Sequence, residues 1–472
     1  MNTNRLSLSG PRIFELVVLA MGLVCVVGLW PVTQSLFAHV PLDPNEGWNA
    51  YHAASAMTGA PLYPGPENYI VNNYPPLSFY LVGAVGYLTG DDIIAGRLIS
   101  FLSYAFLSFG IFLAARRIGA TRLEALLGSL FFAGGMLVFS DYVGMDDPQM
   151  LAHAFAMGGF LLLLREPRSA GRIAVAALLF VVAAFIKHNV IVMALAMTGW
   201  LLLTERRDAL RLIGFGFGFL AVALLAFRLA YGVGLFSQLS SARTYSLIDL
   251  KDKILLWLQW GLVPLLGMAA LGWSSWQNKY VRLCVFMTGI GVALGASFLG
   301  GAGVDTNVLF DADIALALGL TLAVGRLSAA VPPWVTAAAY VAPVAFVAWQ
   351  NLAEDWQDPG TWLNPTREEA RMAANDIAFL EEHRGPAICE TLSLCVWANK
   401  PAAVDVFNVG QQFKTRMRSD APLVRMIEAR RFAVIVFDSD TTNSLGENVA
   451  RVVARHYRLD HADDLGRFYV PR

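Results

Sequence analysis

Long apolar stretches separated by short basic clusters fill the first three quarters of the chain. A helix needs about 20 apolar residues to cross the hydrocarbon of a bilayer, and cytoplasmic loops are enriched in lysine and arginine. The basic clusters are Arg5/Arg12, Arg116/Arg117/Arg122, Arg165/Arg168/Arg172, Arg206/Arg207/Arg211, Lys279/Arg282 and Arg326. If all of them are cytoplasmic, one outward and one inward crossing separate each neighbouring pair. The sequence therefore predicts a polytopic α-helical membrane protein.

Applied along the chain, this rule predicts 11 crossings, with the N-terminus in the cytoplasm and the C-terminus outside. The predicted spans are 13–30, 93–115, 123–139, 150–164, 173–186, 190–203, 212–230, 254–273, 281–299, 308–324 and 333–349. The apolar stretch 77–88 is too short to cross and predicts a helix in the outer interface. The stretch 173–203 has only three polar residues that can form a turn. It is therefore either two short helices separated by a break or one long tilted helix.

Charged residues are concentrated towards the C-terminus. Residues 1–350 hold 38 of the 71 Asp, Glu, Lys and Arg side chains, about 11% of that segment, and residues 351–472 hold the other 33, about 27%. We therefore predict a transmembrane domain over 1–350 and a soluble domain over 351–472. The net charge of −1 gives no electrostatic reason to expect a nucleic-acid partner.

The C-terminal segment predicts a small α/β domain on the outer face of the membrane. Residues 366–369 match a capping box at the start of a helix. Residues 432–437 form a buried-strand pattern, and 386–391 and 402–407 are weaker strands. No dinucleotide, Walker or zinc motif occurs in this segment, which favours a modulatory or acceptor-docking role over catalysis.

Two cysteines lie close together in this C-terminal segment, at Cys389 and Cys395. They can form a disulfide if the domain faces an oxidising compartment. Two free thiols are the equally plausible alternative.

Acidic residues of the transmembrane domain collect on the predicted outer side. They are Asp43, Glu46, Glu67, Asp141, Asp146, Asp147, Asp305, Asp311 and Asp313. The cations on the same side are Arg97, Lys187, His188, Arg243, Lys251 and Lys253. A carboxylate can activate a hydroxyl as general base, and cations can neutralise a phosphate leaving group. The pattern favours group transfer from a phospholipid-type donor at the outer membrane surface.

Simpler roles compete with each of these assignments. Asp43 and Glu46 can merely solvate a loop, Asp146 and Asp147 can cap the following helix, and Lys187 can extend to the interface. A polytopic transporter or lipid flippase also has many spans with buried charge. A noncatalytic member of a cell-envelope assembly is the third alternative.

Several short motifs follow one another in order along residues 10–350. They are Asp43-Pro-Asn-Glu46-Gly-Trp48, Tyr74-Pro-Pro-Leu77, Ala95-Gly-Arg97-Leu98, Arg116-Arg117-Ile-Gly119, Asp146-Asp147-Pro148 and Lys187-His188. Their order and spacing resemble the glycosyltransferase-C superfamily, which includes protein O-mannosyltransferases and the aminoarabinose transferases of lipid A. Relatives commonly have an adjacent Asp-Glu pair, whereas Asn45 precedes Glu46 here.

This resemblance implies an inverting enzyme that moves a sugar from a polyprenyl phosphate to an acceptor hydroxyl. The acceptor can be a lipid, a glycan or a protein, and the reaction takes place on the periplasmic or lumenal side. The expected location is the bacterial inner membrane, among membrane lipids, with the C-terminal domain in the periplasm.

The same resemblance, together with the charges on the outer side, gives candidate roles to ten residues. The catalytic candidates are Asp43 and Glu46, either of which can be the base. The candidates for binding the acceptor or the sugar are Asp146, Asp147, Asp305 and Asn307. The candidates for binding the donor phosphate are Arg97, Lys187, His188 and Arg243. A divalent metal, Mg²⁺ or Mn²⁺, at the second-loop acids is left open.

Overall fold

The transmembrane domain is built from helices. The computed structural model describes residues 10–355, 363–438 and 444–472. The helices of this domain are α1 (Gly10–Ser35), α2 (Pro44–Thr58), α3 (Leu77–Thr89), α4 (Asp92–Arg117), α5 (Arg122–Phe139), α6 (Gln149–Leu164), α7 (Ala170–Ile186), α8 (Val192–Thr204), α9 (Arg206–Tyr231), α10 (Gly234–Leu239), α11 (Leu247–Ser275), α12 (Lys279–Leu299), α13 (Phe310–Arg326) and α14 (Pro333–Asp355). Short 3₁₀ turns, Asp141–Val143 and Thr306–Leu309, precede α6 and α13.

A helix lies at each predicted crossing, and α3 lies at the predicted interfacial stretch. Within the described residues, eight helices are long and apolar enough to cross a bilayer: α1, α4, α5, α9, α11, α12, α13 with its preceding turn, and α14. Helices α6, α7 and α8 are shorter, with 16, 17 and 13 residues. The predicted class, a helical integral membrane protein, is confirmed. The predicted domain boundary at 350 falls inside α14.

The apolar stretch 173–203 is broken into two helices. α7 ends at Ile186 and α8 begins at Val192. The backbone N–H of Lys187 donates to the Ala183 carbonyl and closes the last turn of α7. The broken pair is therefore the correct alternative, and the single tilted helix is wrong. The break places Lys187 in non-helical backbone. Such backbone is tolerated at membrane depth when it is buried in protein, as it is here.

Helix α13 lies at the centre of the transmembrane domain. Every residue from Phe310 to Val324 is buried, because α5, α11 and α12 pack around the helix. Small residues allow the close approach of these neighbours: a Cβ added at Gly128 of α5 would lie 2.4 Å from Thr321 Cγ2. The acidic residues at the start of α13 therefore face protein and not lipid.

The C-terminal domain is a small α/β domain, as predicted. Its helices are α15 (Arg367–Glu382), α16 (Leu392–Trp397), α17 (Val406–Lys414), α18 (Ala421–Glu428) and α19 (Glu447–His456), and its strands are β1 (Ala387–Cys389), β2 (Val434–Phe437), β3 (Tyr457–Asp463) and β4 (Gly466–Pro471). The sheet order is β1-β2-β4-β3. β1 pairs with β2 in parallel, and the other pairs are antiparallel. All residues of β1 and β2 are buried, which is why they appear as apolar runs.

Two local predictions for the C-terminal domain are wrong. The helix after Thr366 is present, but the Thr366 side chain makes no capping hydrogen bond. Residues 402–407 form no strand, because only Ala402 makes an isolated bridge to Ala387 and α17 begins at Val406. The Asp405 carboxylate caps α17 by accepting the Asn408 N–H at 3.0 Å. The open question about the two cysteines is answered by a disulfide between Cys389 and Cys395.

Helix α2 packs directly against the backbone of α16. Gly47 makes this approach possible, because a Cβ there would lie 2.1 Å from the Ser393 nitrogen and 2.4 Å from the Leu392 carbonyl carbon. The Trp48 indole N–H donates to Asp405 Oδ2 at 3.0 Å. The C-terminal domain therefore rests on the helix that carries the first-loop acids.

Gly47→Ala is expected to force α2 and α16 apart. The clash is with backbone atoms, which cannot rotate away, so we expect a loss of about 1–3 kcal/mol in stability, measured as a lower unfolding temperature. Gly214→Ala is the control, since a Cβ at that helical position meets nothing within 4 Å. Equal unfolding temperatures for the two variants would contradict the close packing.

Candidate active site

A cavity of about 290 Å³ lies between the transmembrane domain and the C-terminal domain. We call it the interdomain cavity. The transmembrane domain contributes Asp43, Tyr74 and Arg243 to its wall, and the C-terminal domain contributes Glu390, Asp405 and Asn408, among others. Acids and a cation from separate segments thus meet on one surface, as the sequence predicts.

Asp43 is the first-loop carboxylate that reaches the interdomain cavity. It is the N-cap of α2, and its Oδ1 accepts the Asn45 N–H at 2.7 Å. Burial is the main cause that raises the pKa of Asp43 to about 6, and the negative charges of Asp147 and Glu46 raise it further. A general base works best when its pKa lies near the operating pH. Asp43 therefore has both the position and the basicity for proton abstraction.

Glu46 has a different environment. Its side chain is fully buried, and its two oxygens accept four hydrogen bonds. The Arg97 guanidinium donates to both oxygens at 2.7 Å, and the backbone N–H groups of Leu42 and Asp146 donate at 2.9 and 3.0 Å. Both oxygens are therefore used in hydrogen bonds within the protein, and Glu46 does not line the interdomain cavity. Of these two acids, Asp43 is therefore the one that lies at the cavity.

Arg97 is used entirely within the protein. Besides the two bonds to Glu46, it donates to the carbonyl oxygens of Ser35, Ala38 and Val40 at 2.6–2.8 Å. These five bonds use all five N–H groups of a guanidinium. Arg97 is therefore corrected from a phosphate-binding candidate to the residue that joins the end of α1, the start of α2 and α4.

Lys187 is buried beside the second outer loop. Its Nζ lies 2.6 Å from Asp147 Oδ1 and 4.8 Å from the centre of the Tyr74 ring. Asp147 also caps α6 by accepting the Gln149 N–H at 2.7 Å. The helix-capping alternative is thus confirmed for Asp147, and the idea that Lys187 extends to the interface is wrong. Lys187 contacts Tyr74, which itself lines the interdomain cavity.

Arg243 is the phosphate-binding candidate that lines the interdomain cavity. Its guanidinium donates to the Ala302 carbonyl at 3.0 Å and to Asn408 Oδ1 at 3.3 Å, and it lies 5.5 Å from the centre of the Phe407 ring. These contacts hold the cation between the two domains. His188, by contrast, is exposed outside this wall.

The residues predicted to bind acceptor or sugar lie elsewhere. Asp305 is exposed and caps a 3₁₀ turn by accepting the Thr306 N–H. Asn307 is buried, and its side chain donates to Gln149 Oε1 at 3.0 Å. Asp146 and Asp147 are buried at the end of the second loop, just before α6. None of the four lines the interdomain cavity, so their predicted contact with substrate is not supported by the geometry.

Sequence reasoning missed the contribution of the C-terminal domain to this cavity. Glu390 is held there by the Asp438 N–H at 3.0 Å and by the Ser444 hydroxyl at 2.5 Å. The pattern Asp405-Val-Phe-Asn408 was the available signal, since an aspartate before an apolar run is a helix N-cap. No spacing rule connects these residues with Asp43, which is more than 340 positions away.

Across residues 10–355, 363–438 and 444–472, no three His, Cys, Asp or Glu side chains form a group that could hold a metal ion. The side chains that line the interdomain cavity include carboxylates, a guanidinium, a phenol and an amide. This set can accept a proton and stabilise an anion.

A family model and solved structures resemble this chain. Residues 73–231 match the family described as dolichyl-phosphate-mannose-protein mannosyltransferase. No curated protein is significantly similar in sequence over the chain.

Two solved structures of ArnT from Cupriavidus metallidurans have a similar fold. The one bound to undecaprenyl phosphate has a TM-score of 0.64 at 11% identity and covers 96% of this chain and 98% of its own. The apo structure has a TM-score of 0.59 at 13% identity, and the match covers 96% of this chain and 97% of the ArnT chain. A third similar structure is that of the oligosaccharyltransferase AglB from Archaeoglobus fulgidus, in complex with an inhibitory peptide and a dolichol-phosphate. Its TM-score is 0.53 at 10% identity, and the match covers 90% of this chain and 69% of the AglB chain. The resemblance drawn from the motif order is confirmed in the fold: over almost its whole length this chain has an architecture similar to that of ArnT and AglB.

Proposed function

We propose that the protein is a membrane glycosyltransferase that moves a sugar from a polyprenyl-phosphate donor to an acceptor hydroxyl. The observation that carries the proposal is the presence of Asp43 and Arg243 in the wall of one cavity. A carboxylate with a pKa near 6 and a cation are the two groups that such a transfer needs. The mannosyltransferase family match and the fold shared with ArnT and AglB support the same reaction class.

The proposed reaction is a single displacement at the anomeric carbon. The acceptor oxygen forms a bond to this carbon while the bond to the phosphate oxygen breaks, and the electron pair stays on the phosphate. Asp43 accepts the acceptor proton, and Arg243 neutralises the phosphate that leaves. Attack opposite the leaving group inverts the anomeric configuration. The products are an inverted glycoside and the polyprenyl phosphate.

Glu46 and Arg97 act as positioning residues in this proposal. Their buried pair joins the start of α2 to α4 and to the segment Ser35–Val40. Asp43 is the N-cap of α2, so its position depends on where this helix begins. The Lys187–Asp147 pair supports the Tyr74 side of the cavity in the same manner.

For the orientation, we propose that the N-terminus is cytoplasmic and that the C-terminal domain and the interdomain cavity face the periplasm of a bacterial inner membrane. The positions of the basic clusters support this orientation. The Cys389–Cys395 disulfide also supports it, because disulfides persist in oxidising compartments.

A donor panel tests the proposed reaction. Purified protein in nanodiscs receives polyprenyl phosphates with different labelled sugars and a crude envelope fraction as acceptor. We expect label to move from one donor to the acceptor, with release of polyprenyl phosphate. Unchanged donors throughout, together with donor movement across the membrane of proteoliposomes, would contradict the proposal and favour the transporter or flippase alternative.

The pH dependence of transfer is expected to follow the ionisation of Asp43. Its pKa is raised to about 6, and only the ionised form can accept a proton. We therefore expect kcat/KM to be constant above about pH 7 and to fall roughly tenfold per pH unit below about pH 6. An acidic limb near pH 4 would contradict the raised pKa. Unfolding temperatures across the same pH range serve as the control.

A further inference from the structure

A second cavity, of about 320 Å³, lies where α5 and α14 end, next to the start of α13 and the first half of α11. Two tryptophans of α11, Trp257 and Trp260, form part of its wall. We call it the tryptophan cavity. None of the residues that line it lines the interdomain cavity. A ligand bound there is therefore separate from the proposed site of sugar transfer.

Asp313 of α13 lies in the buried part of this wall. It is 1% exposed, and Trp257, Trp260 and Phe310, which line the same cavity, are at most 4% exposed. Asp313 Oδ1 accepts the Trp257 indole N–H at 2.8 Å, but Oδ2 has no partner in the part of the chain that the structure describes. Buried polar atoms in native proteins nearly always have a partner. The unpaired oxygen therefore indicates a ligand that can donate a hydrogen bond.

The tryptophan cavity is acidic. Its second carboxylate, Asp141, is exposed, and no Lys, Arg or His occurs among the described residues that line the cavity. Neither acid makes an ion pair with another described residue, whereas the neighbouring Asp311 lies 3.4 Å from His153 Nε2. A buried carboxylate is stable in its charged form only when a cation compensates it. The wall thus favours a cationic ligand and disfavours an anion.

The rest of the wall suits an organic cation better than a metal ion. Ca²⁺ and Mg²⁺ need about six oxygen ligands or more, whereas aromatic and aliphatic side chains make up much of this wall. Tryptophan rings attract an ammonium group through their negative faces. An unpaired oxygen that needs a hydrogen-bond donor also selects an ammonium with N–H bonds, which a quaternary ammonium lacks.

The mouth of the tryptophan cavity opens towards the surface that faces lipid. Leu256, which lines the cavity, is 49% exposed, and Phe346 and Trp349 on the adjacent α14 are 60% and 66% exposed. Large apolar side chains this exposed on apolar spans face the bilayer, and tryptophan is enriched where hydrocarbon meets the headgroups. Gln259 and Asn351 are polar residues of the same wall and are also exposed. A ligand can therefore have a polar headgroup in the cavity and apolar chains in the bilayer.

We propose that the tryptophan cavity binds the primary ammonium headgroup of a membrane lipid, with phosphatidylethanolamine as the simplest example. The ammonium donates to Asp313 Oδ2 and packs against the rings of Trp257 and Trp260. The phosphate of the lipid stays at the mouth, where the Gln259 and Asn351 amides can donate to it. This proposal and the proposed transfer reaction rest on different residues, so the two can fail separately.

Lipid titration of the full chain tests the site. Protein in detergent, stripped of bound lipid, receives short-chain phosphatidylethanolamine, its N-acetyl derivative or phosphatidylcholine with the same chains, and thermal unfolding is measured. We expect phosphatidylethanolamine to raise the unfolding temperature by about 2 °C or more with saturation. Phosphatidylcholine should need at least about tenfold more lipid for the same rise, and the N-acetyl derivative, which has no ammonium, should give none. Equal rises with all three lipids would overturn the proposal.

Free ethanolamine distinguishes a lipid from a soluble amine. It has the same ammonium group but no apolar chains, so it should give no rise at the concentration at which the lipid saturates. A rise equal to that of the lipid would overturn the assignment to a membrane lipid. No rise with any of the four compounds would overturn the site itself and would assign a proton or a water molecule to Asp313 Oδ2.

Two variants locate the binding in this cavity. Asp313→Asn removes the buried charge but keeps an oxygen that can accept the Trp257 N–H, and it should need at least about tenfold more phosphatidylethanolamine for half of the full rise. Asp141→Asn changes an exposed residue, so its folding is not at risk, and it should need about two- to fivefold more. Wild-type lipid curves for both variants would overturn the site.

Two controls complete this design. Asp252→Asn removes an exposed acid of α11 that does not line the tryptophan cavity, and it should keep the wild-type lipid curve. Asp43→Asn should also keep this curve, even though it blocks the proposed transfer. An equal loss of lipid binding in Asp252→Asn and Asp313→Asn would show a general effect of negative charge and would overturn the proposal.

Discussion

Asp43→Asn is expected to lower kcat for sugar transfer about 100- to 10,000-fold, which is the usual contribution of a positioned general base. Asparagine has the same size and caps helices as well as aspartate does. It can therefore keep the bond from the Asn45 N–H that holds the start of α2. The variant loses the basic oxygen and little else, so KM and the unfolding temperature should change little.

Asp249→Asn is the matched control for this variant. Asp249 is an exposed aspartate in the first turn of α11 and does not line the interdomain cavity. Its replacement should leave transfer at the wild-type rate. If Asp43→Asn retained more than about a tenth of the wild-type kcat, a positioned base at this residue would be ruled out.

Glu46→Gln is expected to cost about 3–5 kcal/mol of stability, because it leaves the buried Arg97 guanidinium without its counter-charge. Both side chains are fully buried, so water cannot compensate for the loss. The hydrogen bonds donated by the Leu42 and Asp146 N–H groups also weaken, because the side chain that accepts them loses its negative charge. The measurement is the free energy of unfolding in mixed micelles.

Glu67→Gln is the control for the buried pair. Glu67 lies in the same outer loop but is exposed, and its replacement should change the free energy of unfolding by less than about 0.5 kcal/mol. A cost below about 1 kcal/mol for Glu46→Gln would show that the pair does not hold α2 in place. In that case the positioning role of Glu46 would have to be abandoned.

The helical architecture was predictable because the bilayer imposes length and charge rules on the sequence. The apolar stretches became helices, and the short turn at residues 187–189 marked the break between α7 and α8. The meeting of Asp43 with Arg243 in one cavity agrees with the same rules, which place both residues on one side of the membrane. Topology decides which side of the membrane a charge lies on, and little more.

The partners of individual charges were not predictable. Glu46 and Asp43 lie in one motif, yet Glu46 pairs with Arg97 and Asp43 faces a cavity. This difference arises because α2 turns its successive residues in different directions. Nothing in the local sequence indicates which of the two acids meets α4.

The wall formed by the C-terminal domain was also beyond sequence reasoning. Its residues reach Asp43 and Arg243 only through tertiary packing, at contacts such as Arg243 with Asn408 and Gly47 with Ser393. The apolar character of residues 402–407 predicts a strand, whereas in the structure Asp405 is the N-cap of α17. The helix that forms there supplies part of the cavity.

The anomeric configuration of the product is the decisive measurement for the proposed transfer reaction. A donor of known configuration is incubated with wild type, Asp43→Asn and Asp249→Asn, and the linkage formed is determined by NMR. We expect the proposed displacement to give the opposite configuration at the anomeric carbon for wild type and Asp249→Asn, and almost no product for Asp43→Asn. Retained configuration, or an inverted product formed at the wild-type rate by Asp43→Asn, would contradict it.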